Sequence, residues 1–320
     1  MSDLPTTSRL GFGLSSLAGS GNFRHQERLI RTAIDAGITH FDVAPYYGSG
    51  DAERILGKIL RGCPEEVTIT TKFGLLPPAG GVVGRTLRSV ARPIFRRVAV
   101  VKTLATKILN KASKAPDHVA QTYEPGTLTE SLRASVDKLG RPVNMFLLHE
   151  ASLSYATDPG VLAELAELRK GELTTAVGVS ATAEVLQKAL VTGSGVYQVA
   201  QLENSLRTPA PVADLRAKTD RIITHRAIQG GLDTVTTLLA TRPDFAAMWE
   251  RQTGRSANDQ EALVQTLLGM ALAANPDGTV LFSTRTPERI TQTAKVLNDL
   301  SPYADMNDRV EQLINGLALA

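Results

Sequence analysis

Cysteine is almost missing from this chain. Cys63 stands alone and cannot form an internal disulfide, so stability must come from an apolar core, and a reducing compartment fits that usage. No window approaches the ~20 consecutive apolar residues that a membrane-spanning helix needs. The opening MSDLPTTSRL has no apolar stretch behind a basic one, which reads against a secretory signal, and the expected location is the cytoplasm. The histidines are scattered, so no metal site is implied. The glycine-rich GFGLSSLAGSG at 11–21 lacks the GxGxxG spacing, which leaves a Rossmann dinucleotide site without support. Aromatic residues are only 5% of the chain, and Phe95 is the one inside its most basic stretch. The stacking platforms of single-strand nucleic-acid binding are therefore missing, and no nucleic-acid partner is expected.

What is present suits a soluble enzyme of one domain: 320 residues, 42% of them hydrophobic, are ample for a buried core. Short β-branched apolar runs alternate with longer segments of helical period. Strands are predicted over Leu10–Leu14, Thr39–Ala44, Val67–Phe73, Val143–His149, Thr175–Ser180, Val196–Leu202, Arg221–Arg226 and Thr279–Ser283. Helices are predicted over Gln26–Ala36, Ala52–Leu60, Leu128–Leu139, Val161–Lys170, Ala183–Leu190, Val212–Lys218, Glu261–Ala274 and Pro287–Leu297. Such alternation predicts a (β/α)8 TIM barrel, although a doubly wound open sheet gives much the same pattern in fewer units. The polar residues favour the barrel. Asp42, Lys72, His149, Ser180, Gln201, His225 and Ser283 all end predicted strands, on the face where barrel enzymes keep their sites.

One stretch departs from a minimal barrel. Between Leu75 and Pro125, after the third strand, the turn-rich GLLPPAGGVVG leads into Arg85, Arg88, Arg92, Arg96, Arg97, Lys102, Lys107, Lys111 and Lys114, with no acid before Asp117. Val83, Leu87, Val90, Ile94, Val98, Val101, Leu104, Ile108 and Ala112 recur at helical spacing among them, which predicts basic amphipathic helices broken near Pro93. This insert accounts for the basic balance of the chain. It can be a lid whose apolar side packs over the barrel mouth, which is the favoured reading, or a docking surface for a membrane or another anionic partner.

The chemistry concentrates in FDVAPYYGSGDAERILG, Phe41 to Gly57, together with Lys72 and His149. A phenol is a poor acid near neutral pH. An ammonium beside it stabilises its anion, and a carboxylate keeps that ammonium charged and aimed, so Asp42, Lys72 and Tyr47 form a candidate tuned proton donor. At Gly37, Phe41, Asp42, Ala44, Tyr47 and Gly48, continued by Glu53, Leu56 and Gly57, the sequence resembles the aldo-keto reductase superfamily. Lysine and histidine follow at the next two strand ends in that family's order. The resemblance carries the catalytic tetrad onto Asp42, Tyr47, Lys72 and His149 and leaves out the neighbouring Tyr46.

The same resemblance implies NADPH as cofactor. Ser180, Gln201 and Asn204 match the positions that hydrogen-bond a nicotinamide carboxamide, and His225 stands where a ring would stack on the nicotinamide. Ser283, Thr284 and Arg285 correspond to the segment for the adenosine half, while Arg289 falls where an arginine contacts the 2′-phosphate. Guanidinium geometry suits a phosphate and favours NADPH over NADH. The expected activity is reduction of a small-molecule aldehyde or ketone, or the reverse oxidation, by an NAD(P)H-dependent oxidoreductase with Tyr47 as proton donor. Two other classes stay open: a nucleotide-binding regulatory or sensor protein on the same barrel, and an adaptor for a membrane or anionic partner acting through the basic insert.

Overall fold

In the computed structural model the described residues are 4–63, 66–75 and 123–318. Eight parallel strands close on themselves in sequence order: β1 (Leu10–Gly13), β2 (His40–Asp42), β3 (Thr68–Phe73), β4 (Val143–Leu148), β5 (Thr174–Ser180), β6 (Val199–Glu203), β7 (Arg221–His225) and β8 (Thr279–Phe282). Closure is made by β1 against β8, with Leu10 opposite Val280 and Phe12 opposite Phe282. The doubly wound alternative is thereby removed.

Side chains alternate along each strand, so each strand serves two cores. Inside the barrel, Met145, Leu147, Ala176, Val199, Ile223 and Leu281 form a small apolar plug, with Leu4 packed against it. The outward-facing set joins a larger core under the helices, including Phe41, Ile69, Phe146, Leu148 and Val177. Gly11 lies on the inner face, where a Cβ would come within 2.5 Å of Leu281 and 2.9 Å of His40. The barrel is packed, not hollow.

The helices that cover it are α1 (Phe23–Asp35), α2 (Ala52–Leu60), α3 (Thr127–Leu139), α4 (Leu153–Ala156), α5 (Pro159–Lys170), α6 (Ala183–Thr192), α7 (Val212–Arg216), α8 (Ala227–Thr241), α9 (Phe245–Thr253), α10 (Gln260–Ala274), α11 (Pro287–Ala294) and α12 (Met306–Ala318). The eight helices read from periodicity are all among them, each displaced by a few residues at most. Helices α4, α8, α9 and α12 were not anticipated. In α8 the cause is local, since Gly230 and Gly231 weaken helix propensity near its start. Both glycines serve packing: a Cβ on Gly230 would sit 2.3 Å from Ser205 Oγ, and one on Gly231 2.4 Å from a Leu267 methyl.

The basic helices expected after β3 fall on 76–122 and lie outside the described residues. At the start of α3, Gly126 is the N-cap at φ 87° and Glu164 reaches across from α5. Its carboxylate accepts from the Gly126 amide (3.1 Å), the Thr129 amide (2.8 Å) and the Thr129 hydroxyl (2.7 Å). Those bonds outweigh partial burial and hold its pKa below the usual carboxylate range. No helix among the described residues is long and apolar enough to cross a membrane.

Candidate active site

The period of two that fills the barrel interior also builds the site above it. His40 and Asp42 on β2, Thr70 and Lys72 on β3, Gly178 and Ser180 on β5, and Val199, Gln201 and Glu203 on β6 are successive inward positions, so the polar ones surface at the C-terminal mouth. Lys72 is buried and donates to Asp42 Oδ1 in a short ion pair. Its Nζ also lies 3.3 Å from Tyr47 Oη and 5.1 Å from the centre of that ring. Tyr47 reaches this point from the tight turn Tyr47–Gly50 that follows β2. Gly48 adopts φ 63° within that turn, and a Cβ there would meet the Ala18 methyl at 2.3 Å.

His149 follows the last residue of β4 and is buried. Its ring meets the Tyr47 ring edge-on, with centroids 5.7 Å apart at 84°. Burial, reinforced by the Lys72 ammonium, lowers its pKa to about 2, so at neutral pH the imidazole is uncharged and presents an N–H. The Tyr47 phenol is pushed above its ordinary value, by burial first, with Lys72 acting in the opposite direction. The expected depression by Lys72 is thus present but is outweighed by desolvation. The ammonium itself stays charged: burial opposes it, yet Asp42 and Tyr47 raise it on balance. A protonated phenol beside a fixed cation can release a proton and have the resulting anion stabilised in place.

Gln201 joins this group directly, donating Nε2 to Asp42 Oδ2 at 2.8 Å. Both carboxylate oxygens of Asp42 are therefore engaged, and Gln201 keeps its carbonyl oxygen as an acceptor. Ser180 is buried beside Gln201 in register on β5. His225 ends β7 opposite Glu203 and is neutral, its pKa lowered to about 4 chiefly by burial. These residues share the mouth with the tetrad. Asn204 does not. It is the next residue after Glu203, on the other side of the strand's end, and its Oδ1 accepts from the Ala210 amide at 3.1 Å, so its amide holds the β6–α7 loop.

The segment after β8 lies beside β1 and α1. Ser283 Oγ donates to the Gly13 carbonyl (2.7 Å), Thr284 Oγ1 accepts from the Thr286 amide (3.2 Å), and His25 Nε2 lies 2.9 Å from the Arg285 carbonyl. Arg285 and Arg289 are exposed, and Arg289 sits in the first turn of α11 behind Pro287. A dinucleotide phosphate would find there two guanidinium groups and a helix N-terminus. The described residues hold no group of histidine, cysteine and acid side chains that could bind a metal ion.

Sequence reasoning missed several features of the mouth. Among the described residues, the non-glycine positions at positive φ are Glu150 (φ 49°) and Arg226 (φ 63°), and each follows a site histidine. Left-handed backbone costs a non-glycine residue about 1–2 kcal/mol, a strain typical of functional rims. Glu203 was also passed over, although it lies two residues beyond Gln201 on the same face. It accepts from Ser205 Oγ (3.1 Å) and pairs with Arg207 (3.1 Å) and Arg226 (3.3 Å), tying the β6 and β7 loops together.

Comparison with known proteins bears on the chain's family and fold. The profile of the Aldo/keto reductase family matches residues 9–212, a span holding all four tetrad residues but ending before the β8 segment. Probable aldo-keto reductase 1 of Glycine max is 42% identical over 73 residues, 21% of this chain and 21% of its own length. Pyridoxal 4-dehydrogenase of Microbacterium luteolum is 39% identical over 74 residues, 22% of each chain. The chain thus matches only about a fifth of the length of these curated relatives. The holo aldo-keto reductase from Bacillus halodurans superposes with a TM-score of 0.66 over 97% of this chain and 94% of its own, at 16% identity, a likeness of fold.

Proposed function

The chain belongs to the aldo/keto reductase family, and on that premise we propose that it reduces an aldehyde or ketone to the alcohol, or runs the reverse oxidation, with NADPH as cofactor. The observation that carries the reading is the buried Asp42–Lys72 pair with Tyr47 Oη 3.3 Å from the ammonium and the His149 ring against the phenol. A bound nicotinamide dinucleotide would supply the hydride. The chain's own residues do the rest. Tyr47 gives its proton to the carbonyl oxygen as negative charge develops there, and Lys72 stabilises the phenolate left behind. Asp42 keeps Lys72 charged and aimed, and neutral His149 donates a hydrogen bond that orients the carbonyl.

The residues present suit the cofactor. Gln201 has its amide nitrogen committed to Asp42 and an oxygen left for a carboxamide N–H, with Ser180 adjacent. The imidazole of His225, a planar ring at the end of β7, can stack on a flat ring. Arg289 and Arg285 offer cationic partners to a 2′-phosphate and the diphosphate, which supports NADPH over NADH. The test is a panel of small aldehydes and ketones incubated with NADPH or NADH, following loss of reduced-cofactor absorbance. Turnover that requires Tyr47 and prefers NADPH is expected. Cofactor binding without turnover across the panel would favour a nucleotide-binding sensor on the same barrel.

A further inference from the structure

Behind the active-site face, on the outer side of β3, lies a buried carboxylate that the mechanism does not use. Glu53 on α2 is fully buried. Its Oε1 accepts from Thr71 Oγ1 at 2.7 Å, and its Oε2 pairs with Lys138 Nζ of α3 at 3.1 Å. The location of both ends matters. Thr71 is the chain neighbour of Lys72, pointing outward where Lys72 points inward. Glu53 stands near the start of the helix that follows the turn carrying Tyr47. The Glu53–Thr71 bond and the Lys72–Tyr47 bond therefore close one small circuit of chain, with the second contact 3.3 Å long and dependent on where α2 sits.

Packing fixes the same face of that helix one turn further on. Gly57, one turn beyond Glu53, abuts the backbone of α3, where a Cβ would fall 2.5 Å from the Leu139 carbonyl oxygen and 2.6 Å from that of Lys138. That approach brings the Lys138 ammonium onto Glu53. Burying the Glu53 carboxylate is a poor device for stability alone, because its desolvation offsets much of the Coulombic gain from a Lys138 side chain that is 37% exposed, and an apolar contact would hold α2 down as well. A hydroxyl–carboxylate bond specifies position along and around the helix axis, which an apolar contact leaves free to slip.

We infer that Glu53 and Thr71 are positioning residues that set the distance between Tyr47 and Lys72. The inference rests on the reading of Tyr47 as proton donor, and its decisive readout needs no substrate. Because Lys72 lowers the phenol's pKa against the effect of burial, slackening the contact must raise it further. In Thr71→Val, the difference in phenolate absorbance between proteins with Tyr47 and with Tyr47→Phe should titrate at higher pH than in the parent. With an accepted carbonyl substrate, kcat should fall about tenfold while KM stays nearly constant, the pattern of a small misplacement of a reacting group. Thr71→Ser should restore both. Leu165→Ala, a core truncation on α5, should lower Tm and move neither the phenolate midpoint nor the kcat-to-KM pattern. A folded Thr71→Val protein with an unmoved phenolate midpoint would overturn the inference. Failure of the parent to reduce any carbonyl would instead sink the functional reading, with the titration still able to report on the circuit.

Discussion

Tyr47 and His149 differ in what their burial does for them. Burial raises the phenol and lowers the imidazole, so both are neutral across the physiological range, with their rings edge-on and 5.7 Å apart. On the proposed mechanism Tyr47→Phe removes the transferred proton, and a positioned general acid contributes about 10²–10⁴-fold. The variant should lose that factor in carbonyl reduction while NADPH affinity, read by fluorescence titration, is unchanged. Near-parental turnover would transfer suspicion to neighbouring Tyr46. Arg289 makes a separate claim. A charge-assisted bond to phosphate is worth about 1.5–3 kcal/mol, so Arg289→Ala should weaken NADPH about 10- to 100-fold and NADH hardly at all. An equal loss for both dinucleotides would assign the side chain to packing.

The elements that carry the site were legible because two periods were. Short apolar runs put Asp42, Lys72, His149 and Gln201 at strand C-terminal ends without any structure, while the alternation that turns Lys72 inward and Thr71 outward is a finding of the barrel. The contacts that set the geometry could not be read. Nothing local announces that Gln201 reaches Asp42 across the barrel or that Glu53 meets Thr71, since each bond depends on the closure of strands distant in sequence. Asn204 shows the limit from the other side, one residue beyond Glu203 and committed to the Ala210 amide. Helix α8 was missed because propensity penalises the two glycines that packing demands. Gly178 on β5 tests how much such closure matters. A Cβ there would lie 2.1 Å from the Val199 carbonyl oxygen, a backbone atom that cannot rotate away. Gly178→Ala should force β5 from β6, separate Ser180 from Gln201 and cost at least about 1–3 kcal/mol in chemical denaturation, whereas an unchanged midpoint would mean that the strands give way cheaply.

At the scale of the whole molecule, the barrel buries imidazoles that it keeps neutral, and this makes stability depend on pH in a definite direction. His40 lies on the inner face below Asp42, with Nδ1 2.9 Å from Thr68 Oγ1 and Nε2 3.3 Å from Thr70 Oγ1, and burial lowers its pKa to about 4. His225 is also lowered to about 4, and His149 to about 2. In the unfolded chain a histidine titrates near 6.5, so between roughly pH 6.5 and pH 4 the unfolded state binds more protons than the folded one. Stability is then full above the unfolded value and is lost as pH falls through that window. Each such histidine can remove up to about 1.4 kcal/mol per pH unit, a steep effect against a total stability of about 5–15 kcal/mol. Tm measured from pH 7.5 downward should hold level and then drop progressively below about pH 6.5. The variant that isolates the effect is His225→Phe, which fills the half-buried mouth position with a ring that cannot bind a proton. It should lessen the acid slope while leaving the neutral plateau in place. A Tm that stays flat from pH 7 to pH 5 would show that these imidazoles accept protons inside the folded barrel as readily as in water.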